Sequence, residues 1–255
     1  MASPIKELSG PVKALFSDLD GTLTTSGHIE VATVVAMEKL VSAGVPVIIV
    51  TGRPAGWGHT FMGLTDVSAV VAENGAVIFT RERGRVIRAY GIEEDEIKGH
   101  RRQMSAVVRQ IMADIPGARL SVDSAYREVD LAIDWNEDST LSVNQAQEIV
   151  DRLRGMGFNA SRSSVHINFG PPGFDKLTAC QILAKELYGA TDLDEFVFVG
   201  DSLNDEVCFS GFARSVGVSN TKEVWETLED KPKYITEGEE GEGVRELVEH
   251  LLTLS

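Results

Sequence analysis

Two aspartates one residue apart, Asp18 and Asp20, closely follow the short, mostly apolar segment at residues 12–16. The apolar segment predicts a buried strand. Side chains alternate along a strand, so the two carboxylates would point the same way. Two acids in one small volume repel each other unless a cation lies between them or they differ in protonation. The pair therefore indicates a metal site or an acid–base pair, although this stretch alone leaves a plain Asp-Gly hairpin turn open.

Further polar motifs stand at equivalent places in the chain. The apolar segment 45–50 leads into Thr51-Gly52-Arg53, and the apolar segment 195–200 leads into Asp201. Lys176 opens a predicted helix just after the Gly-Pro-Pro-Gly linker at residues 170–173. In doubly wound sheets, ligands bind beyond the carboxyl ends of the parallel strands. These motifs are therefore predicted to meet at one edge of one sheet.

The order of the predicted elements gives the fold class. Strands alternate with helices before residue 80 and after residue 171, which predicts an α/β fold with a doubly wound parallel sheet. Between them the pattern becomes helix, paired strands, helix, paired strands, which is typical of an α+β module. We therefore predict a core domain from residues 1–80 and 171–255 and an inserted α+β cap at 81–170. Residues 222–228 are predicted to be helical, and the acidic run 237–242 is predicted to be a solvated loop.

Bulk composition excludes several classes of function. The 255-residue chain has 43% hydrophobic residues, 25% charged residues and a net charge of −15. Such an acidic chain disfavours nucleic-acid binding, and its longest apolar stretches are too short to span a membrane. We see no signal peptide and interpret Cys180 and Cys208 as buried reduced thiols, so a cytoplasmic location is expected. The oligomeric state stays open between a monomer and a homodimer. The same charge repels phosphorylated substrates, so any phosphate site must create a positive field locally.

The four motifs together resemble those of the haloacid dehalogenase (HAD) superfamily. The string Asp18-Leu19-Asp20-Gly21-Thr22-Leu23-Thr24 is similar to its first motif, and Thr51-Gly52-Arg53 to its second. Lys176 matches the third, and Gly200-Asp201-Ser202-Leu203-Asn204-Asp205 resembles the acidic form of the fourth. An insertion between the second and third motifs resembles the Cof-like type IIB subfamily, which includes sucrose-phosphatases, mannosyl-3-phosphoglycerate phosphatases and phosphomannomutases.

The resemblance implies specific roles. Asp18 would be the nucleophile that forms an aspartyl-phosphate, Asp20 the general acid and base, and Thr51 and Lys176 would hold the phosphoryl oxygens. Mg²⁺ would be bound by Asp18, Asp201 and the backbone carbonyl of Asp20. The residues predicted to contact the substrate are Gly21, Gly52, Arg53, Glu73, Asn74, His166, Asn168, Asn204 and Asp205. Two alternatives stay open: Asn204 and Ser202 as loop caps, and Arg53 as a surface residue.

The proposed cap contacts come from strand periodicity. At residues 164–169, His166 and Asn168 share one face, and Ile167 and Phe169 share the other. The apolar face should pack on the cap helices, which leaves the polar face directed at the substrate. A solvated sheet face is the alternative.

The predicted function is Mg²⁺-dependent hydrolysis of a small phosphorylated metabolite, a sugar phosphate or phosphorylated glycoside. A phosphomannomutase-like phosphotransferase and a non-catalytic binding module with the same fold are the rival interpretations.

Overall fold

The computed structural model describes residues 2–254. In that part of the chain the strands are β1 (Ser3–Pro4), β2 (Ala14–Ser17), β3 (Val47–Val50), β4 (Ala69–Ala72), β5 (Val77–Glu82), β6 (Arg85–Tyr90), β7 (Arg119–Leu120), β8 (Leu131–Asp134), β9 (Asn159–Arg162), β10 (His166–Gly170), β11 (Phe196–Gly200), β12 (Ser215–Gly217) and β13 (Tyr234–Ile235). The α-helices are α1 (Val31–Ser42), α2 (Ala55–Leu64), α3 (Glu94–Asp114), α4 (Val143–Gly155), α5 (Lys176–Tyr188), α6 (Glu206–Gly211) and α7 (Glu240–Leu252).

A nine-stranded sheet forms the centre of the core, in the order β1-β13-β12-β11-β2-β3-β4-β5-β6. Its strands are parallel from β1 to β4, and the β5–β6 hairpin adds two antiparallel strands at one edge. From β2 the chain moves outward to β3 and β4. From β11 it moves the opposite way to β12 and β13. The strand order therefore reverses between β2 and β11, which is where doubly wound sheets bind ligands.

The central strands are apolar on both faces, because helices cover both sides of the sheet. Leu15 packs into a cluster with α1, α2 and α7. Its neighbour Phe16 points to the opposite side, into a cluster with α5 and α6. There the Phe16 ring meets Phe196 and Phe212 edge-on, at centroid distances of 5.7 and 5.5 Å. This alternation fixes the direction of β2 and so the position of the residues that follow it.

The inserted module has its own antiparallel sheet, in the order β7-β8-β10-β9. Its apolar face packs against α3 and α4, with Ile133, Ile167 and Phe169 in one cluster. Ser142 begins α4 with a reciprocal capping box to Gln145, which satisfies two otherwise unpaired groups. The opposite, polar face of this sheet is not solvated. His166 and Asn168 on it are only 2% and 3% exposed.

Three local predictions are corrected by the structure. Strand β6 belongs to the large sheet, which would move the start of the proposed cap from residue 81 to about residue 91.

The predicted helix at 222–228 is wrong: Ser219–Glu223 is a short 3-10 turn, because the Asn220 side chain bonds the Gly21 carbonyl and the Glu240 N–H. The acidic run is only partly a loop, since α7 begins at Glu240 and its acidic first turn suits the helix dipole.

No helix in residues 2–254 combines the length and apolar character needed to cross a bilayer.

Candidate active site

Asp18 lies at the carboxyl end of β2, beside the first residue of α5, Lys176. Both residues are almost fully buried. The Lys176 ammonium lies 2.7 Å from Oδ1 of Asp18 and 2.7 Å from Oδ1 of Asp205. Asp175 caps the N-terminus of this helix, because its side chain accepts the Thr178 N–H at 2.7 Å. An anchored helix therefore holds one buried cation between two carboxylates.

One cation does not neutralise this cluster. Burial raises the pKa of Asp18 to about 7, with a further contribution from Asp205 that Lys176 only partly opposes. Burial and then Asp18 also raise the pKa of Asp201 well above its ordinary value. Burial lowers the pKa of Lys176, but Asp18 and Asp205 more than offset this, so its pKa lies above the usual range. The site thus has a deficit of positive charge.

The arrangement of carboxylates suits a divalent cation. Oxygen atoms of Asp18, Asp201 and Asp205 lie within 4.8 Å of one another, and hard, oxygen-seeking ions such as Mg²⁺ prefer such donors. Thr22 Oγ1 donates to Asp201 Oδ1 at 3.0 Å and orients that carboxylate. Asp205 has less freedom, because its Oδ2 accepts the N–H groups of Asp201 and Ser202 and its Oδ1 binds Lys176. Asp205 therefore orients the loop and the lysine.

Only glycine fits at position 21. Gly21 has φ +74°, and a Cβ there would lie 2.5 Å from Asp201 Oδ2. The missing side chain lets the loop after β2 approach the Asp201 carboxylate closely.

Thr51 lies at the same edge, just past β3. It is fully buried, its N–H bonds the Val71 carbonyl at 2.8 Å, and its Oγ1 accepts the Arg53 N–H at 3.0 Å. The structure thus brings the four motifs of Asp18, Thr51, Lys176 and Asp201 to one edge of one sheet.

Arg53 is buried, so it is not the surface residue that the sequence left open. Its Nε lies 2.8 Å from Oδ2 of Asp20 and its Nη2 lies 2.8 Å from Oδ1, a two-pronged contact. Nη2 also donates to Oε1 of Glu137 at 2.7 Å. The guanidinium stacks on Trp57 at 4.8 Å from the ring centroid, and Nη1 lies 3.6 Å from Oδ2 of Asp123.

Glu73 and Asn74 both have left-handed backbone angles, with φ near +50°. The fully buried Glu73 carboxylate accepts four backbone N–H groups: from Ala55 at the start of α2, and from residues 128, 129 and 130 of the inserted module. Both carboxylate oxygens are therefore already hydrogen-bonded, and these bonds join the core to the inserted module. Asn74 instead faces the site loops, where its Oδ1 accepts a hydrogen bond from Asn204 Nδ2 at 3.4 Å.

The polar face of the inserted sheet covers these loops. Asn168 Nδ2 comes within 2.8 Å of the point where a Cβ on Gly52 would lie. Its Oδ1 is buried and has no hydrogen-bond partner among residues 2–254. His166 Nε2 lies 2.9 Å from Oε2 of Glu137. Contacts with His166 and then Arg53 lower the pKa of Glu137 to about 2.

Some residues of the site were not predicted from the sequence. Thr22 is part of the first motif, so its role at the site could have been predicted from the sequence. Glu137, Asp123 and Asn220 lie in loops or short turns outside every motif, and only the tertiary fold brings them here.

The sequence of this chain is similar to those of known hydrolases. A model of the haloacid dehalogenase-like hydrolases matches residues 15–109. Phosphoglycolate phosphatase of Methanococcoides burtonii is 30% identical over 254 residues, covering 95% of this chain and 97% of the relative. Phosphoglycolate phosphatase 1 of Saccharolobus solfataricus is 29% identical, covering 94% and 96%.

Solved structures share the whole fold at low sequence identity. Thermoplasma acidophilum 0175 has a TM-score of 0.74 at 18% identity and covers 96% of this chain and 100% of its own. The sucrose-phosphatase of Synechocystis, solved with sucrose and phosphate, has a TM-score of 0.68 at 17% identity, with coverages of 94% and 98%.

The chain belongs to the haloacid dehalogenase-like hydrolase family. Within that family it is an enzyme of the phosphatase type, which excludes the non-catalytic alternative, and the predicted fold class is confirmed.

Proposed function

We propose that this phosphatase hydrolyses a small phosphorylated metabolite with Mg²⁺ through an aspartyl-phosphate on Asp18. The observation that carries the proposal is the position of Asp18: a buried carboxylate at the switch point of the sheet, 2.7 Å from the Lys176 ammonium. A carboxylate that attacks a phosphate ester brings like charges together, so the nucleophile needs neighbouring cations. Mg²⁺ held by Asp18, Asp201 and the Asp20 carbonyl would supply the remaining positive charge.

The chain's own groups would act in two steps. First, an Asp18 oxygen forms a bond to phosphorus while the ester bond breaks, and the leaving alkoxide takes a proton from the Asp20 carboxyl group. Second, Asp20 accepts a proton from a water molecule that attacks the phosphorus, which releases phosphate and restores Asp18. Lys176 and Thr51 would hold the phosphoryl oxygens, and the two-pronged contact with Arg53 would orient Asp20.

Phosphoglycolate is our first candidate substrate. Relatives named phosphoglycolate phosphatase match almost the full chain at 24–30% identity. The closed cap over Gly52 and Arg53 also favours a small leaving group. The sugar phosphate or phosphorylated glycoside expected from the sequence is the second candidate, supported by buried polar side chains on the cap sheet that could bind hydroxyls. We place the enzyme in a reducing cytoplasm, in keeping with the free thiols of Cys180 and Cys208.

A panel assay tests the proposal. Phosphate release would be measured with Mg²⁺ or with chelator on phosphoglycolate, 3-phosphoglycerate, glucose 6-phosphate, sucrose phosphate and p-nitrophenyl phosphate. We expect Mg²⁺-dependent release, fastest on phosphoglycolate. Transfer of the phosphoryl group between sugar positions, without release of phosphate, would instead favour the phosphotransferase alternative. Equal activity in excess chelator would refute the metal-dependent mechanism.

A further inference from the structure

One carboxylate of the proposed cap, that of Glu137, already lies against the Arg53 guanidinium at the site. The Glu137 side chain is contacted from two sides: Arg53 Nη2 donates to its Oε1 at 2.7 Å, and His166 Nε2 lies 2.9 Å from its Oε2. The His166 contact lacks hydrogen-bond geometry, so this buried ring nitrogen has no hydrogen-bond partner among residues 2–254. Guanidinium groups bind carboxylates strongly in this kind of planar contact. Arg53 and His166 therefore form a receptor for one carboxylate.

This receptor lies beside the reacting atoms. The guanidinium that binds Glu137 also contacts both carboxylate oxygens of Asp20. In the proposed mechanism Asp20 touches the ester oxygen of the leaving group. A carboxylate one or two carbon atoms from that oxygen would therefore come within reach of Arg53.

We propose that Arg53 and His166 bind a carboxylate on the leaving group of the substrate, and that Glu137 occupies this receptor until the substrate displaces it. The inference rests on the proposed phosphatase function and deepens it. It assigns the substrate to phosphate monoesters of small hydroxy acids, of which phosphoglycolate is the smallest.

Burial differs between the two sides of the contact. Arg53 and His166 are 6% and 2% exposed, and Trp57 holds the guanidinium plane. The Glu137 side chain is 36% exposed and stands in the loop between β8 and α4. The receptor side chains are thus enclosed by the fold, while the carboxylate that fills the receptor has solvent on one side into which it could withdraw.

Charge balance gives the receptor its selectivity. The carboxylates around Arg53 are Asp20, Asp123 and Glu137, and Asp123 is also paired with Arg127 at 3.2 Å. Replacing Glu137 by a substrate carboxylate leaves the net charge at the receptor unchanged. A neutral leaving group cannot replace the Glu137 carboxylate in this way. When such a substrate binds, Glu137 either stays in the receptor or leaves Arg53 without this anionic partner.

The test compares an acidic ester with a neutral ester of similar size. kcat/KM would be measured for phosphoglycolate and for ethyl phosphate, and their ratio followed in three variants. Glu137→Gln should raise the ratio about fivefold, mainly through a lower KM for phosphoglycolate, because a half-exposed ion pair is worth about 1 kcal/mol. His166→Leu should lower the ratio about tenfold or more, because leucine has a similar size but cannot donate a hydrogen bond to the bound carboxylate.

Asp138→Asn is the matched control, since it removes one negative charge from the same exposed loop. It should leave the ratio within about twofold, because surface charges this exposed contribute little. Glu137→Gln also changes an exposed side chain, so the test does not depend on the folding of the buried His166 variant.

The opposite directions of the two effects distinguish this inference from a general effect on activity. If the wild type hydrolyses esters but Glu137→Gln lowers the ratio, or folded His166→Leu leaves it unchanged, the carboxylate receptor is wrong while the phosphatase function stands. A wild type that hydrolyses sugar phosphates and not phosphoglycolate would also overturn it. If the wild type releases phosphate from no ester, the proposed function fails first and the inference fails with it.

Discussion

Replacing Glu73 by glutamine should destabilise the protein severely, although the substitution changes almost no volume. The Glu73 carboxylate is fully buried and accepts four backbone N–H groups. Oε1 bonds residues 55 and 128 at 2.9 and 2.7 Å, and Oε2 bonds residues 129 and 130 at 2.8 and 2.9 Å. In either amide orientation, an NH₂ group would replace one oxygen and face two N–H donors.

The magnitude follows from these bonds. Each hydrogen bond to a charged group contributes about 1.5–3 kcal/mol, so losing two costs about 3–6 kcal/mol. The left-handed backbone of Glu73, with φ +51°, stores strain of about 1–3 kcal/mol in the wild type and the variant alike, so it leaves the fold less margin but does not add to this difference. Since a domain is stable by about 5–15 kcal/mol, this one atom exchange should remove a large part of the total.

Urea unfolding followed by circular dichroism and by tryptophan fluorescence would measure the free energy of unfolding of Glu73→Gln. The exposed Glu96→Gln is the control for the lost charge, with an expected change within about 0.5 kcal/mol. Hydrogen exchange should also quicken at the amides of residues 128–130, where the freed N–H groups lie. A loss in Glu73→Gln below about 1 kcal/mol would refute the claim that this carboxylate joins the core to the insert.

Three further outcomes are expected. Asp18→Asn should lower phosphate release at least about 10³-fold while the exposed Asp66→Asn does not, and near wild-type release would contradict Asp18 as nucleophile. Asp201→Ala should weaken Mg²⁺ binding in calorimetry and remove activity, and Ca²⁺ should inhibit the wild type because its looser coordination misplaces the nucleophile. In chelator, the wild type should lose stability as pH rises from about 4 to about 7: Asp18, with its pKa raised from 3.8 to about 7, binds its proton more tightly in the folded state. Thermal melts of Asp18→Asn should lack this contribution, and an unchanged pH dependence would contradict it.

The sequence predicts the core and its motifs well because both depend on local patterns. Uninterrupted apolar segments such as residues 196–199 belong to strands covered on both faces. The residue that ends each strand then lies at a known edge of the sheet. Asp18, Thr51 and Asp201 could therefore be placed together without any knowledge of their contacts.

Side chains that bond across the chain were not predictable in the same way. Glu73 was predicted to contact substrate because it lies beside a strand end, but its carboxylate reaches backbone groups more than fifty residues away. Glu137 stands in an exposed loop with no motif around it. The segment after β12 reads as helical by composition, yet Asn220 ties it to Gly21. In each case a tertiary hydrogen bond outweighs the local preference.

The net charge of −15 explains why the cationic groups of this site are buried and paired. An acidic surface repels an anionic substrate, so attraction must act at short range, where burial strengthens it. In the proposed mechanism, Lys176 holds the phosphoryl group from between two carboxylates. We propose that Arg53 binds the other end of the substrate, because one edge of its guanidinium contacts Asp20, the proposed proton donor, and the other edge contacts a carboxylate of the inserted module. A substrate with a phosphate at one end and a carboxylate at the other would match both cations at once. Phosphoglycolate meets that requirement with a single carbon between its ester oxygen and its carboxylate, and a neutral sugar phosphate does not.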